Sequence, residues 1–422
     1  MAETGNSIRV KGPKVDPIHL HSFEIQGLFG YLDHGIKFPR IDPENRRPEL
    51  CILEGQNGTG KTTIMQIIAS ALTDLTFDKL REVPFNYVAI NFSDGDTLGI
   101  EHREDPNFPL QVTFGEHSVS LYKSRDNPNY DRQQRLAIDE FRQFAMPKLE
   151  TINFELLTIE RTLDLLRQRE EPKLQYGQAF RTRKERKPLA FRVKEFLKDA
   201  QVDYRRFFQT SQFDLFPHIF NRFANPQTEV TISEIRSRTE RLLEENEKVE
   251  RFGLQTDLHE IRALQSVLND TRLEEDTHAF SLVESYVEIH ENRQRSRELI
   301  LSRINQFERL MDDFLVGKIV RVSTDYGLEI RSETGILSEY DLSSGEYHFL
   351  YMMVSALLCQ REGTVLAIDE PELSLHVSWQ RRLVAALSHC ASGASPMFFF
   401  STHSTAISAE HSYAVQTLSP IE

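Results

Sequence analysis

Cysteine is scarce: Cys51, Cys359 and Cys390 are the three in 422 residues, and no CxxC pair occurs. That excludes a disulfide framework and a cysteine zinc site. Long apolar runs are missing too. No stretch of 18 or more argues for a transmembrane helix, and Met1 to Gly12 lacks the apolar h-region of a secretory signal. The expectation is a soluble protein of a reducing cytosol with no membrane partner. Glycine (19) and proline (17) are too few for a collagen-like or low-complexity chain. Positive charge is also short, with 50 Lys and Arg against 64 Asp and Glu and a formal net charge of −14. A uniformly basic nucleic-acid sleeve is excluded, although a local basic patch is not. What remains is a globular composition, 39% hydrophobic and 27% charged. At roughly 100–200 residues per domain its length suits two or three lobes.

Residues 1–125 read as β-strands around one helix. Ile18 to Ile25 alternates apolar and polar, and Leu50 to Glu54 is a short buried-type strand followed directly by a glycine-rich turn. Thr62 to Leu72 has helical spacing in Ile64, Ile67, Ile68, Ala71 and Leu72. Phe85 to Phe92 alternates again, and Asp94-Gly95 turns a hairpin into Leu98 to His102. Further strands run to Tyr122. Residues 126–316 change character, being rich in Glu, Arg, Leu and Gln with long helical patterns. Thr231-x-x-Glu234 resembles a capping box. Ile300, Ile304, Phe307, Met311 and Phe314 form a heptad-like seam of barely two heptads, too short for a long coiled coil and suited to a compact helical insertion. In residues 317–422 strands return: a hairpin of Lys318 to Ser323 and Tyr326 to Arg331, a helix at Glu346 to Gln360 and a strand at Val365 to Ile368. A helix at Ser378 to Ser388 and a last strand at Met397 to Phe400 follow. Strand–helix–strand order of this kind predicts parallel βαβ units.

The strongest chemical signal is GQNGTGKT, Gly55 to Thr62, which fits G-x-x-x-x-G-K-[ST] between an apolar strand and an amphipathic helix. Gly55, Gln56, Asn57, Gly58, Thr59 and Gly60 let the backbone wind so that its N–H groups face phosphate oxygens, and the following helix, with Thr63 in its first turn, adds its positive end. Lys61 would reach the β- and γ-phosphates, and the Thr62 hydroxyl would ligate Mg²⁺, so ATP and Mg²⁺ are the expected cofactors. The second signal is TVLAIDEPE, Thr364 to Glu372: a buried strand with carboxylates at its C-terminal edge, where ligands bind in open α/β sheets. Asp369 would hold the Mg²⁺ shell, and Glu370 would orient and deprotonate the attacking water. The third is LSSGE, Leu342 to Glu346. Taken alone it is a helix cap. In order it is more, since Gly345 precedes Asp369 by 24 residues and His403 follows Asp369 by 34.

This ordered set resembles the ATP-binding-cassette superfamily: Walker A, signature, Walker B with its adjacent Glu, and switch histidine. The resemblance implies an α/β head, a parallel sheet core plus an antiparallel β lobe, split by a mainly α-helical insertion. It makes Glu370 and His403 catalytic, the latter sensing the γ-phosphate, and it assigns Ser343, Ser344 and Gly345 to ATP. Lys61 and Asp369 stand 308 residues apart, a spacing that looks like the SMC and RecF-type ATPases and unlike transporter cassettes. DEPELSLH, Asp369 to His376, and IQGLFGYLDHGIKF, Ile25 to Phe38, look most like the overcoming-lysogenization-defect ATPases and related antiphage ATPases. The matching stretches are Ile18 to Tyr122 and Gly317 to Ser404. Two departures stand out: the signature has Ser344 and Glu346 where LSGGQ is the commonest form, and the Q-loop residue is left between Gln111 and Gln133. Nineteen residues follow His403, so no TOPRIM nuclease domain is expected here and any cutting falls to another chain.

The family's signature completes the site of a second copy, so the resemblance implies an ATP-sandwiched homodimer, open to higher homo-oligomers, with the insertion as lever or docking arm. The function it implies is a nucleotide-gated sensor or scaffold in antiphage defence, controlling a nuclease or toxin effector in a separate chain. A RecF- or SMC-like DNA-repair ATPase shares the chemistry but not the Leu-His loop. Between Arg161 and Arg206, 14 Lys or Arg face seven Asp or Glu, centred on Arg181 to Lys187 (RTRKERK) with Phe180 and Phe191 beside it. Such a cluster suits nucleic-acid phosphates and bases, or equally an acidic partner surface.

Overall fold

A computed structural model describes residues 18–39, 49–74, 77, 79–104, 109–121, 130–158, 188–202, 230–250, 252, 258–269, 277–361 and 363–418. The chain divides into two compact units. One joins Met1–Ile159, Arg361–Glu372 and Ala394–Glu422, and the other joins Glu160–Gln360 and Leu373–Gly393.

The first unit holds two sheets. The antiparallel sheet is built from β1 (Leu20–Leu28), β2 (Leu32–Lys37), β4 (Tyr87–Phe92), β5 (Thr97–His102), β6 (Leu110–Phe114) and β7 (His117–Leu121), in the order β2-β1-β4-β5-β6-β7. The second sheet contains β3 (Leu50–Gly55), β8 (Phe154–Leu157), β12 (Val365–Asp369), β13 (Met397–Thr402) and β14 (Val415–Leu418). Its order is β14-β3-β13-β12-β8, and every pair is parallel. Helix α1 (Lys61–Ala69) runs into a π-helical turn at Ser70–Asp74 and packs on β3, β8 and β12. Helix α2 (Tyr130–Leu149) packs on β7. One apolar core serves both sheets, joining Phe23, Ile25, Val88 and Ile100 of the antiparallel layer to Ile64, Ile68, Ala367 and Phe399. Strand β12 is buried at all five positions, as an interior strand covered on both faces must be.

Three strands of this unit escape the sequence pattern. Strand β2 follows β1 through a tight turn in which Gly27, Phe29 and Gly30 all have positive φ. Strand β8 is four residues inside a stretch with helical composition, and β14 comes after Met397 to Phe400, where the pattern places the last strand. Each is short and is held by its ladder: β8 pairs with β12, and β14 with β3.

The second unit is mainly helical: residues 189–202 (α3), α4 (Ile232–Glu250), α5 (Leu258–Leu268), α6 (Thr277–Phe314), α7 (Ser344–Leu358) and α8 (Val377–Cys390). A three-stranded antiparallel sheet of β9 (Lys318–Ser323), β10 (Gly327–Ser332) and β11 (Gly335–Leu337) accompanies them. The N–H of Glu234 donates to Thr231 Oγ1 at 3.4 Å at the start of α4. Helices α4, α5 and α6 share a core of Ile235, Leu242, Ile261, Leu264 and Val287. Of the seam on α6, Ile304, Phe307, Met311 and Phe314 are buried and Ile300 is half-buried, and α6 packs on α7 and α8. Among the described residues no helix is long and apolar enough to cross a membrane.

Candidate functional site

The parallel sheet sets the geometry of the site. Strand β13 lies between β3 and β12, so three C-terminal strand ends emerge side by side. The first carries the phosphate loop, the second Thr402 and His403, and the third Asp369 and Glu370. In register, Ser401 pairs with both Leu53 and Asp369, and Thr402 with Glu54.

The loop from Gly55 to Gly60 is wound by its glycines. Gly58 and Gly60 sit at φ 86° and 84°, a region open to glycine but strained for other residues. Thr59 holds the turn through its hydroxyl, which donates to Gln56 O at 2.9 Å. Gln56, Asn57 and Gly58 are exposed, whereas Thr59, Gly60 and Lys61 are buried. The Lys61 ammonium donates to Gly55 O and Gln56 O at 2.8 and 3.0 Å. Burial lowers its pKa, while the carboxylates of Glu370, Asp369 and Glu372 act in the opposite sense. Thr62 and Thr63 are half-buried in the first turn of α1.

Thr62 Oγ1 donates to Asp369 Oδ1 at 3.0 Å, across 307 residues of chain. Mg²⁺ binds oxygens at about 2.1 Å in an octahedron, whose neighbouring oxygens therefore lie about 3 Å apart. The Thr62 and Asp369 oxygens match that edge. Among the described residues no group of three or more His, Cys, Asp or Glu could hold a metal unaided. Mg²⁺ that draws its other oxygens from phosphate and water needs no such cage.

Glu370 follows in the left-handed region, at φ 49°, and its N–H donates to Ser401 O at 2.8 Å. Burial raises its carboxyl above the usual range, and the Asp369 and Glu372 charges raise it further. His403 and Lys61 pull the other way. The His403 side chain is exposed.

Two residues to which the motifs assign no role support this site. The His34 Nε2–H donates to Thr59 O at 2.9 Å. A trans peptide points its C=O and N–H in opposite directions, so fixing Thr59 O aims the Gly60 N–H to the far side of that peptide. Burial lowers the His34 pKa, with the Thr59 bond and Asp33 opposing. The signal in the sequence was the alternation of β2, which turns Leu32, His34 and Ile36 inward. Glu372 is the other, accepting from Thr402 Oγ1 and from the His403 N–H, both at 2.7 Å.

Ser343, Ser344 and Gly345 belong to the second unit. Ser343 is the N-cap of α7: its Oγ accepts from Glu346 N at 3.3 Å and donates to Glu346 Oε2 at 2.8 Å, while its N–H donates to the same oxygen at 2.9 Å. Lys318 pairs with Glu346 Oε1 at 2.6 Å. Burial works against the Glu346 charge, but Lys318 and Ser343 outweigh it and hold the carboxyl below its usual range. Ser344 is exposed and Gly345 buried. A Cβ on Gly345 would run into the carbonyl oxygen of Ser374. Of the two Q-loop candidates, Gln111 lies within β6, opposite Glu101 and Ser120. The side chain of Gln133 and all of Arg181 to Lys187 lie outside the described residues.

The parallel sheet thus presents Gly55–Thr62, Asp369 and Glu370 at one edge and shares its core with an antiparallel sheet. The chain belongs to the family described as "AAA domain, putative AbiEii toxin, Type IV TA system", whose model matches residues 51–409. No curated protein matches it. Among solved structures, one similar to it is the Smc head domain with an extended coiled coil bound to the C-terminal domain of ScpA, from Pyrococcus furiosus. That likeness has 15% identity and a TM-score of 0.45, over 93% of this chain and 92% of that one. The SMC head domain from Thermotoga maritima is similar at 10% identity and TM-score 0.38, over 96% and 99%. The recombination mediator protein RecF with ATPrS is similar at 10% identity and TM-score 0.37, over 93% and 94%.

Proposed function

We propose that this chain binds and hydrolyses ATP as the head of a homodimer, and that it serves as a nucleotide-gated sensor or scaffold in antiphage defence. The effector, a nuclease or toxin, would be a separate chain. The observation that carries the hydrolytic reading is the Thr62–Asp369 hydrogen bond beside Glu370. It joins two motifs that are remote in sequence at one strand edge.

In this reading Lys61 and the amides of residues 55–60 bind the phosphates, and Thr62 and Asp369 hold Mg²⁺. When bound, Mg²⁺ neutralises charge on the β- and γ-phosphate oxygens. Glu370 accepts a proton from the attacking water, a task its raised pKa favours because the carboxylate is more basic. His403 reads the γ-phosphate. Ser343 and Gly345 of one copy complete the site of the other, so ATP is part of the interface and its cleavage loosens it. The defence setting is supported by the family description and by Leu375-His376 in the loop after Glu372.

Light-scattering mass with ATP tests this on the wild type, Glu370→Gln and Lys61→Ala. The expected outcome is a larger ATP-dependent assembly in Glu370→Gln and none in Lys61→Ala. One assembly in all three, indifferent to nucleotide, would remove the gating and leave a scaffold. Phage protection retained by Glu370→Gln would likewise assign function to occupancy, and its loss would assign it to turnover.

A further inference from the structure

The turn after β13 is held from two sides. Downstream, Thr402 Oγ1 accepts from the Ser404 N–H at 2.9 Å, and Ser404 Oγ accepts from Ile407 N at 3.3 Å, capping the helix Thr405–Glu410. On the other side stands a single carboxylate. Glu372 Oε2 accepts from the Thr402 hydroxyl and Oε1 from the His403 N–H, both at 2.7 Å. Charge-assisted bonds of this length are the strong ones, and two on one carboxylate fix its orientation as well as its distance.

Glu372 is tied just as firmly to Glu370. Between them lies Pro371, buried, whose ring fixes its φ. Glu370 itself is held at φ 49° by its N–H bond to Ser401 O. Little slack separates the two carboxylates, so what Glu372 grips is referred rigidly to Glu370.

We infer that Glu372 is a positioning residue for hydrolysis, clamping the Thr402–His403 turn so that His403 and Glu370 keep a constant mutual placement. The inference rests on the reading of this site as ATP-hydrolysing. The strand ladder does not make the clamp redundant. The β12–β13 ladder ends with Asp369 opposite Ser401 and the β3–β13 ladder with Glu54 opposite Thr402, so neither ladder holds His403 and none ties Thr402 to the Glu370 strand.

The test compares full-length wild type, Glu372→Ala, Glu372→Gln and Lys61→Ala by steady-state ATP hydrolysis from pH 5 to 9, with amide hydrogen exchange at His403. Misplacement by about 1 Å can cost ~100-fold in rate. Glu372→Ala should lose that much kcat, with KM changed less than about threefold, and the His403 amide should exchange at least tenfold faster. Glu372→Gln keeps an acceptor but not the charge. It should recover most of the kcat and protect the amide again. If Glu372→Ala keeps kcat within threefold while Lys61→Ala is inactive, the clamp is wrong and the site reading stands. A wild type with no Lys61-dependent turnover would overturn both.

Discussion

Glu370 shows how a single residue can be placed against its own preference. A non-glycine residue in the left-handed region costs about 1–3 kcal/mol, and here burial and two neighbouring carboxylates also oppose its charge. Its folded-state pKa lies above the unfolded value. The stabilisation this represents is therefore complete below the unfolded pKa and disappears as pH rises through the folded one. At neutral pH the ionised side chain is a burden, which Glu370→Gln removes while keeping shape. Glu370→Gln is thus expected to melt higher than wild type at pH 7.5, and the excess should shrink as pH falls toward 4. Thermal unfolding monitored across that range checks it; a constant difference would mean that the effect is packing and not charge. The variant chosen to abolish turnover should in this way also be the more stable protein.

At the scale of the element, α7 is fastened at both ends by side chains. At its start, Glu346 in place of the commoner Gln closes a capping box on Ser343 and pairs with Lys318. The acidic variant is therefore explained locally: a carboxylate takes both Ser343 donors and an ammonium at once, which a neutral amide cannot. At its end, the Arg303 guanidinium of α6, 4% exposed, donates to Ala356 O, Leu357 O and Cys359 O, and to Cys390 O at the end of α8. These are carbonyls left over at helix termini. Arg303→Met fills the volume but returns the carbonyls unpaired, and with about 1–3 kcal/mol for each buried group left unsatisfied chemical denaturation should show a loss of about 3 kcal/mol or more. Gly345→Ala drives a methyl into Ser374 O; overpacking of this sort costs about 1–3 kcal/mol, and a lowered melting temperature should report it. An unchanged melting temperature would mean that the loop around Ser374 yields freely.

For the molecule as a whole, charge and connectivity set the terms. The chain carries a formal −14, and in the proposed dimer ATP between two copies would add more negative charge. Repulsion of this kind is screened over about 10 Å at 0.1 M salt. ATP-dependent association of Glu370→Gln is accordingly expected to strengthen from ~20 to ~150 mM NaCl, as read by sedimentation. Weakening with salt would instead indicate locally complementary patches. Connectivity also limits experiments on the helical arm. Cutting at 123 and 317 would remove β8, an edge strand of the parallel sheet paired with β12, together with Arg303. Loss of function in that deletion would report a damaged head as readily as a missing arm.

The sequence alone determined the order of the candidate motifs and the elements that carry them. The phosphate loop between an apolar strand and a helix, Asp369 and Glu370 after a buried strand, and the seam of α6 were all legible. Spacing and periodicity are local properties, and these elements obey them strongly. The tertiary structure decided the rest because it depends on contacts between distant residues. Strands β8 and β14 exist through parallel pairing with strands more than 200 residues away. LSSGE is a helix cap by its hydrogen bonds, whatever second role a partner gives it. The supporting roles of His34 and Glu372 became visible only when folding brought a buried ring to Thr59 and a carboxylate to His403. Both lie inside quoted stretches that give them no role, since what selects them is the direction of hydrogen bonds in the assembled site.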